Sequence, residues 1–178
     1  PISASFSTGT VNGNYIAGGL VAHNDESDIT ESYATGNVTG DDDLGGLIGQ
    51  SYYSQITDSY AQGDVSETLG TDGYYIGGFI GLSDDELINN CYSTGLVTAT
   101  PQNYIGGFDG VSDPELITNS FWDTETSGMT TSFGAEGKTT AEMKSISTFN
   151  NTETVGLDTP WDIVPLETFN PDTPNTWF

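Results

Sequence analysis

Residues 29–38 read ITESYATGNV and residues 44–49 read LGGLIG, and both patterns recur along the chain. The first pattern, an isoleucine followed four residues later by an aromatic residue, begins at Ile2, Ile29, Ile56, Ile88 and Ile117. The second pattern, a Gly-Gly pair followed by leucine or phenylalanine, begins at Gly18, Gly45, Gly77 and Gly106. Self-similarity at a period near 27 residues indicates stacked structural units of one kind.

The spacing inside each repeat shows which parts are rigid. In the first four repeats the aromatic residue precedes a valine by five positions, as Tyr33 precedes Val38. Each Gly-Gly pair precedes the next isoleucine by 11 positions. Only the segment between the valine and the Gly-Gly pair varies in length. This predicts one tolerant loop per unit, because loop insertions cost little free energy.

Short apolar pieces that alternate with glycines predict an all-β fold, a parallel β-solenoid (β-helix) of about four to five coils. We expect three short strands per coil, around residues 29–35, Val38 and residues 44–48. Period-two alternation then turns Ile29 and Tyr33 inward together. Residues 1–119 would form the solenoid.

Residues 120–178 leave the repeat and are expected to form a C-terminal cap or tail. Thr139 and Glu142 have capping-box spacing, which predicts one short helix that ends near Ser147. The remaining chain is rich in proline and is expected to be irregular.

Three positions in the repeat carry more specific expectations. Leu47 and Ile48 are neighbours and cannot both face inward on a flat strand, so which of them faces the core stays open. Asp109 occupies the Ile48 position in a later repeat, which suggests that this rung reaches solvent and that an apolar stripe faces outward. Cys91 aligns with serines and is expected to be a small stacked residue rather than a nucleophile.

The net charge of −24, with Lys138 and Lys144 as the only cationic side chains, excludes several classes of function. So few cations cannot neutralise a phosphate backbone or dock on an anionic membrane, so we expect no nucleic-acid binding. No apolar run approaches about 18 residues, so no membrane insertion is expected. The acidity suits high salt or divalent cations, which predicts a halophilic or marine source.

These motifs resemble the GLUG repeat, named for its Gly-Leu-x-Gly core. Residues 58–65 (DSYAQGDV) and 76–81 (IGGFIG) show the pattern most fully. Residues 120–128 (SFWDTETSG) and 137–143 (GKTTAEM) also resemble the segment that follows such repeats. The resemblance implies a secreted or cell-surface location and a structural or adhesive role, and it implies no catalytic residues.

The leading hypothesis is therefore a non-catalytic, extracellular structural solenoid, either a fibre subunit or a module of a surface adhesin. Pro1 and Ile2 begin inside a repeat with no capping element. This predicts either head-to-tail self-association or neighbouring repeats of a longer chain. Residues expected to take part in assembly are Ile2, Trp161, Trp177 and Phe178.

Two alternatives involve carbohydrate. A carbohydrate-binding module would use the tyrosine-rich loop insertions, with Tyr74, Tyr75 and Tyr104 as ligand-binding residues. A polysaccharide-acting β-helix enzyme would need paired carboxylates, but no acidic pair is singled out by its position. His23 is the single histidine, and a solvated loop residue is the preferred interpretation.

The sequence also contains candidate sites for glycosylation and for metal binding. No cofactor is required, although calcium would find hard oxygen ligands in the acidic runs, with Asp84, Asp85, Glu86 and Asp113 as candidates. None of these runs has EF-hand spacing. The sequons at Asn37 and Asn150 predict glycosylation in a surface protein.

Overall fold

A computed structural model describes residues 1–68, 74–100, 104–111 and 116–163. Over these ranges the chain is an all-β parallel solenoid of about four coils, followed by two short helices. Each complete coil contributes five strands, one to each of five parallel sheets. The solenoid expected from the repeat is thereby confirmed.

The strands follow one another in the same order in every coil. The first coil contains β1 (Ile2–Ser3), β2 (Phe6–Ser7), β3 (Val11–Asn12), β4 (Ala17–Gly18) and β5 (Val21–Asp25). The second contains β6 (Ile29–Thr30), β7 (Tyr33–Ala34), β8 (Val38–Gly40), β9 (Leu44–Gly45) and β10 (Ile48–Tyr52). The third contains β11 (Gln55–Thr57), β12 (Tyr60–Ala61), β13 (Val65–Glu67), β14 (Tyr75–Gly77) and β15 (Ile80–Asp84).

The fourth coil contains β16 (Leu87–Asn89), β17 (Tyr92–Ser93), β18 (Val97–Thr98), β19 (Tyr104–Gly106) and β20 (Asp109–Val111). The remaining elements are β21 (Ile117–Thr118), β22 (Phe121–Asp123), β23 (Glu136–Lys138), α1 (Thr140–Met143) and α2 (Ile146–Asn150). Parallel pairing joins equivalent residues of successive coils, for example Ile29 with Ile56 and Val38 with Val65. The register is therefore the one that the sequence repeat predicts.

Five strands replace the three that we expected in each coil. The segment expected as one strand over 29–35 is two strands, because the backbone turns at Glu31, whose φ is 49°. The same left-handed conformation recurs at the equivalent residues Ala4, Asp58, Asn90 and Asn119. A non-glycine residue with positive φ breaks an extended strand, so this ladder forms a corner of the solenoid.

This corner also reverses the side-chain alternation. Ile29 and Ala34 are fully buried, whereas Tyr33 lies on the outer face, partly exposed. The expectation that Ile29 and Tyr33 both face inward was therefore wrong. The bend at Glu31 moves the tyrosine to the opposite face, because alternation holds only along an unbroken strand.

A second corner settles the question of Leu47 and Ile48. Both side chains are fully buried, because the chain bends between β9 and β10 and the two residues do not share a flat strand. Asp109 is also fully buried, so the expected solvent-reachable rung was wrong. Leu47 and Ile48 therefore form no outward apolar stripe.

The interior of the coils contains two apolar clusters and a tight polar ladder, and a third apolar cluster around Phe121 and Trp161 lies in the C-terminal region. One cluster is built around Ile29, Leu47 and Phe79, and the second around Val38 and Leu44. The ladder of Ser5, Ser32, Ser59, Cys91 and Ser120 is nearly inaccessible to solvent from Ser32 onward. Each serine hydroxyl donates to the carbonyl two residues earlier, and most accept from the coil before, which confirms the expected tight stacking.

The C-terminal region begins as a continuation of the solenoid. Strand β22 pairs with β17 on one side and with β23 on the other. The capping box of Thr139 and Glu142 is confirmed at the start of α1. The helix ends at Met143, however, and α2 follows it as a separate short helix, so the expected single helix to Ser147 is divided.

Candidate functional site: the open end of the solenoid

The two ends of the solenoid differ in how well they are covered. At the first coil, β1 to β5 each lie at the edge of their sheet, and each is paired on one side only. Ile2 and Val11 are partly exposed, whereas the equivalent Ile29 and Val38 are fully buried. The first coil therefore presents unpaired backbone groups and apolar side chains at one end of the rod, here called the open end. Such edges are templates for further strand pairing.

Glycines show the shape of the open end most clearly. A Cβ atom on Gly36 would lie 2.0 Å from the carbonyl oxygen of Gly9, and one on Gly63 would lie 1.9 Å from that of Gly36. Each glycine is thus needed because the preceding coil approaches closely. A Cβ on Gly9 would meet no atom within 4 Å, because it points out of the open end.

The opposite end of the solenoid is covered by the chain itself. The ring of Trp122 lies against Gly107, where an added Cβ would come within 2.0 Å of the ring. Ser132 Oγ accepts hydrogen bonds from the backbone N–H groups of Phe108 and Asp109 at 2.9 and 3.0 Å. Met129 packs against both apolar clusters. Residues 122–134 therefore occupy the position that another coil would otherwise take.

A second layer of the cap buries Trp161. Its ring packs with Phe121 and Phe149, and its indole N–H donates to the Asn119 carbonyl at 3.0 Å. Trp161 is thus enclosed by its own chain and is not presented to a neighbour. Two other residues predicted to take part in assembly, Trp177 and Phe178, lie outside the described residues.

Outside the core, stacked aromatic rings run along the rod. The rings of Phe6, Tyr33, Tyr60 and Tyr92 have successive centroid separations of 5.2, 4.8 and 4.9 Å, with planes within 9° of parallel. Trp161 lies 6.3 Å beyond Tyr92, so the cap closes that end of the stack. Phe6 is the first ring of this stack in the described residues, and it is 64% exposed.

The predicted tyrosine site is partly assembled at another corner. Tyr75 and Tyr104 are paired residues of β14 and β19, and their rings lie 5.1 Å apart. The Tyr75 backbone N–H donates to Asp43 Oδ1 at 3.1 Å, and the Tyr104 N–H donates to the Tyr74 carbonyl at 2.8 Å. Tyr104 is half exposed. The structure therefore brings these three tyrosines together beside an acidic corner.

The acidic corner next to the tyrosines has its own electrostatics. Burial raises the pKa of Asp42, the charges of Asp43 and Asp41 raise it further, and a hydrogen bond from Tyr74 opposes the shift. The tyrosine hydroxyl is thus directed at a carboxylate.

The predicted calcium ligands do not converge in the described residues. Asp84 and Asp85 are exposed, whereas Glu86 is buried with 2% of its surface exposed. Within the described ranges, no three acidic, histidine or cysteine side chains are arranged to hold a metal ion. Asp113 lies outside those ranges. The calcium site therefore stays a prediction.

The predicted glycosylation sites are both exposed. The Asn37 Oδ1 atom accepts a hydrogen bond from the Asp64 backbone N–H at 3.0 Å, which leaves the amide nitrogen, the atom that carries a glycan, at the surface. Asn150 is exposed at the end of α2. Both positions are compatible with modification.

Cys91 is the small buried member of the ladder that we expected, whereas His23 is solvent-exposed as expected but lies in strand β5 rather than in a loop. Burial raises the pKa of the Cys91 thiol strongly, which keeps it protonated and unreactive. His23 is exposed, and its Nδ1 lies 3.2 Å from Gln50 Oε1.

The cover of the last coil was missed in the sequence. Ser132 lies outside the repeat and has no periodic signal. Trp122 does align with Ser93, Ala61 and Ala34, so a large ring at a position of small residues was the available signal. In the described part of the chain, no helix has the length and apolar character needed to cross a membrane.

Comparison with known proteins identifies the repeat. A family model for the GLUG motif matches residues 13–39, 43–66 and 72–100. These three segments cover most of the second and third coils and parts of the first and fourth, and the GLUG repeats expected from the sequence are thereby confirmed. No curated protein matches the chain.

Proposed function

We propose that this β-solenoid module of GLUG repeats is a non-catalytic structural part of an extracellular surface protein, either a fibre or an adhesin. The observation that carries the proposal is the register-true stacking of equivalent residues in successive coils, for example Ile29 with Ile56 and Val38 with Val65, which builds a rod of GLUG repeats.

The nature of the open end supports this assignment. Unpaired edges in five sheets and partly exposed Ile2, Val11 and Val21 would all be satisfied by one more parallel coil. A head-to-tail fibre of identical copies would require that both ends of the rod are accessible, and residues 122–134 cover one of them. Of the two forms proposed, this cover favours an adhesin module over such a fibre.

The acidic surface is consistent with an extracellular location. Residues such as Glu31 and Asp84 lie exposed at corners of the coils, so the charge of −24 is distributed along the rod. Ions of the medium would screen the repulsion between these corners.

Surface labelling of intact cells tests the location. An antibody against the folded chain should label intact cells of the source organism, and brief external proteolysis should remove the label. Detection only after lysis would contradict the proposal. An antibody against a cytoplasmic protein is the control for cell integrity.

A second function, carbohydrate binding, is favoured by the exposed ring of Tyr104 over Tyr75. A half-exposed aromatic ring beside hydrogen-bonding carboxylates can stack on a sugar face. Tyr104→Ala should abolish binding on a glycan array, and Tyr15→Ala, at another exposed tyrosine, should leave it unchanged. Equal binding by both variants would refute this function.

A further inference from the structure

Three tyrosines of the outer aromatic stack are held ring over ring. Tyr33, Tyr60 and Tyr92 occupy equivalent positions of β7, β12 and β17, and parallel pairing places their Cα atoms opposite one another. The rings of Tyr33 and Tyr60 are the most closely matched, with centroids 4.8 Å apart and planes 1° from parallel. Each phenol of this pair therefore lies beside the equivalent atoms of the phenol in the next coil.

The hydroxyl groups of Tyr33 and Tyr60 are neighbours at the outer edge of the stack. Burial raises the pKa of Tyr60, and the negative charge of an ionised Tyr33 would raise it further. Tyr60 is therefore a neutral phenol at neutral pH, and removal of an electron from its ring is accompanied by loss of the hydroxyl proton. Both residues are partly exposed, so water is available to take this proton.

The third tyrosine of the stack is held more firmly. The Gln62 amide nitrogen donates to the Tyr92 hydroxyl at 3.3 Å, and the Trp161 ring lies 6.3 Å from the Tyr92 ring. Tyr33 is bounded instead by Phe6, which is 64% exposed and belongs to the first coil. The Tyr33 ring therefore has more room to tilt than the Tyr92 ring.

We propose that Tyr33 and Tyr60 form a site of oxidative cross-linking, at which a peroxidase and hydrogen peroxide join the two rings by a carbon–carbon bond as dityrosine. The bond ties the second coil to the third covalently. The proposal concerns the chemistry of this pair alone. It is independent of the structural role proposed above, so either proposal can fail alone.

The reaction balances with one molecule of hydrogen peroxide. Each phenol loses one electron and its hydroxyl proton, which leaves a phenoxyl radical with unpaired density on the Cε carbons beside the oxygen. The two radicals pair to form one Cε–Cε bond. The hydrogen on each bonded carbon then leaves as a proton and a proton returns to each oxygen, which restores both aromatic rings. The chain loses two hydrogen atoms in total, and the peroxide is reduced to two molecules of water.

The register of the sheet supplies the encounter that this coupling needs. Paired strands hold the two rings at strand spacing, and a tilt of each ring about its Cα–Cβ bond brings one Cε atom of each together at the exposed edge. The radicals then meet within one molecule rather than by diffusion, which favours their reaction. Tyr15 and Tyr53 are exposed, and among the described residues neither stacks on another ring, so their coupling requires a second molecule.

Peroxidase treatment of the purified chain at high dilution tests the site. The Tyr104→Phe background is used throughout, because the Tyr104 ring lies 5.1 Å from that of Tyr75 and could form a second product. The treated monomer should gain the blue fluorescence of dityrosine and lose the mass of two hydrogen atoms. Peptide mass spectrometry should find the peptides of Tyr33 and Tyr60 joined.

Two conservative variants separate this pair from the rest of the stack. Tyr60→Phe keeps the ring and removes the phenol, so the fluorescence and the mass loss of the monomer should both disappear. Tyr92→Phe, one coil further along the same stack, should retain both. Treatment of the unfolded chain in urea should lose the preference for Tyr33 with Tyr60.

Three results would overturn the proposal. One is an oxidised monomer that contains no joined Tyr33 and Tyr60 peptides. Another is dityrosine that forms only between molecules of the chain. The third is an equal yield of this link in the folded chain and in urea, because the stack would then play no part in the coupling.

Discussion

The ring of Tyr60 lies directly over the ring of Tyr33, with centroids 4.8 Å apart and planes 1° from parallel. This separation equals the usual spacing of paired strands, so the second and third coils are related by nearly pure translation along the rod. The side chains of one coil therefore repeat directly above those of the next. A coil added at the open end would therefore stack on side chains in the same arrangement.

Replacing Tyr60 tests the contribution of the aromatic stack. Tyr60→Ala removes contacts with both Tyr33 and Tyr92 and should lower the free energy of unfolding by about 2–4 kcal/mol. Tyr60→Phe keeps the ring and should stay within about 1 kcal/mol of wild type. Urea unfolding measures both. If the two variants behaved alike, the stacked rings would not be the stabilising feature.

Glycines of one ladder should differ in their tolerance to alanine. Gly63→Ala places a Cβ 1.9 Å from the Gly36 carbonyl oxygen and should lower the free energy of unfolding by about 3 kcal/mol or more. Gly9→Ala meets nothing within 4 Å and should be neutral or stabilising by up to about 1 kcal/mol. Thermal or urea unfolding provides the comparison. Equal damage at both positions would contradict the close approach.

Removal of one hydroxyl should weaken the cap. Ser132→Ala leaves the N–H groups of Phe108 and Asp109 without their acceptor, which should lower the free energy of unfolding by about 1–3 kcal/mol. Thr130→Ala, at an exposed neighbouring position, is the matched control and should change it little. Faster amide exchange at Phe108 and Asp109 is expected with the first variant alone. Unchanged exchange there would show that residues 122–134 do not cover this end.

The periodic part of the fold was predictable, because constant intervals leave one register for stacked coils. The number of strands was not predictable, since Glu31 and its equivalents adopt a left-handed conformation that their residue types do not predict. The same corner moved Tyr33 outward. Leu47 and Ile48 could both be buried for a related reason: a bend between them removes the flat strand on which one must face out.

The candidate site was predictable only where it belongs to the repeat. Ile2 at the open end and the pairing of Tyr75 with Tyr104 follow from aligned positions. Ser132 of the cap lies beyond the last repeat and aligns with no repeated position, whereas Trp122 aligns with Ser93 and replaces a small residue there. Glu86 looked like one more residue of an acidic run, although its alignment with Ser54, which is buried, was the signal that it is buried as well.

The most direct test of the open end combines an added coil with one glycine substitution. A copy of residues 29–55 inserted before Ile2 should stack on the first coil and raise the free energy of unfolding. In that longer chain Gly9→Ala should remove the gain, because its Cβ would meet the carbonyl oxygen of the added glycine as Gly36 meets Gly9. An added coil that brings no stability, or a Gly9→Ala variant as stable in the longer chain as its parent, would contradict the account.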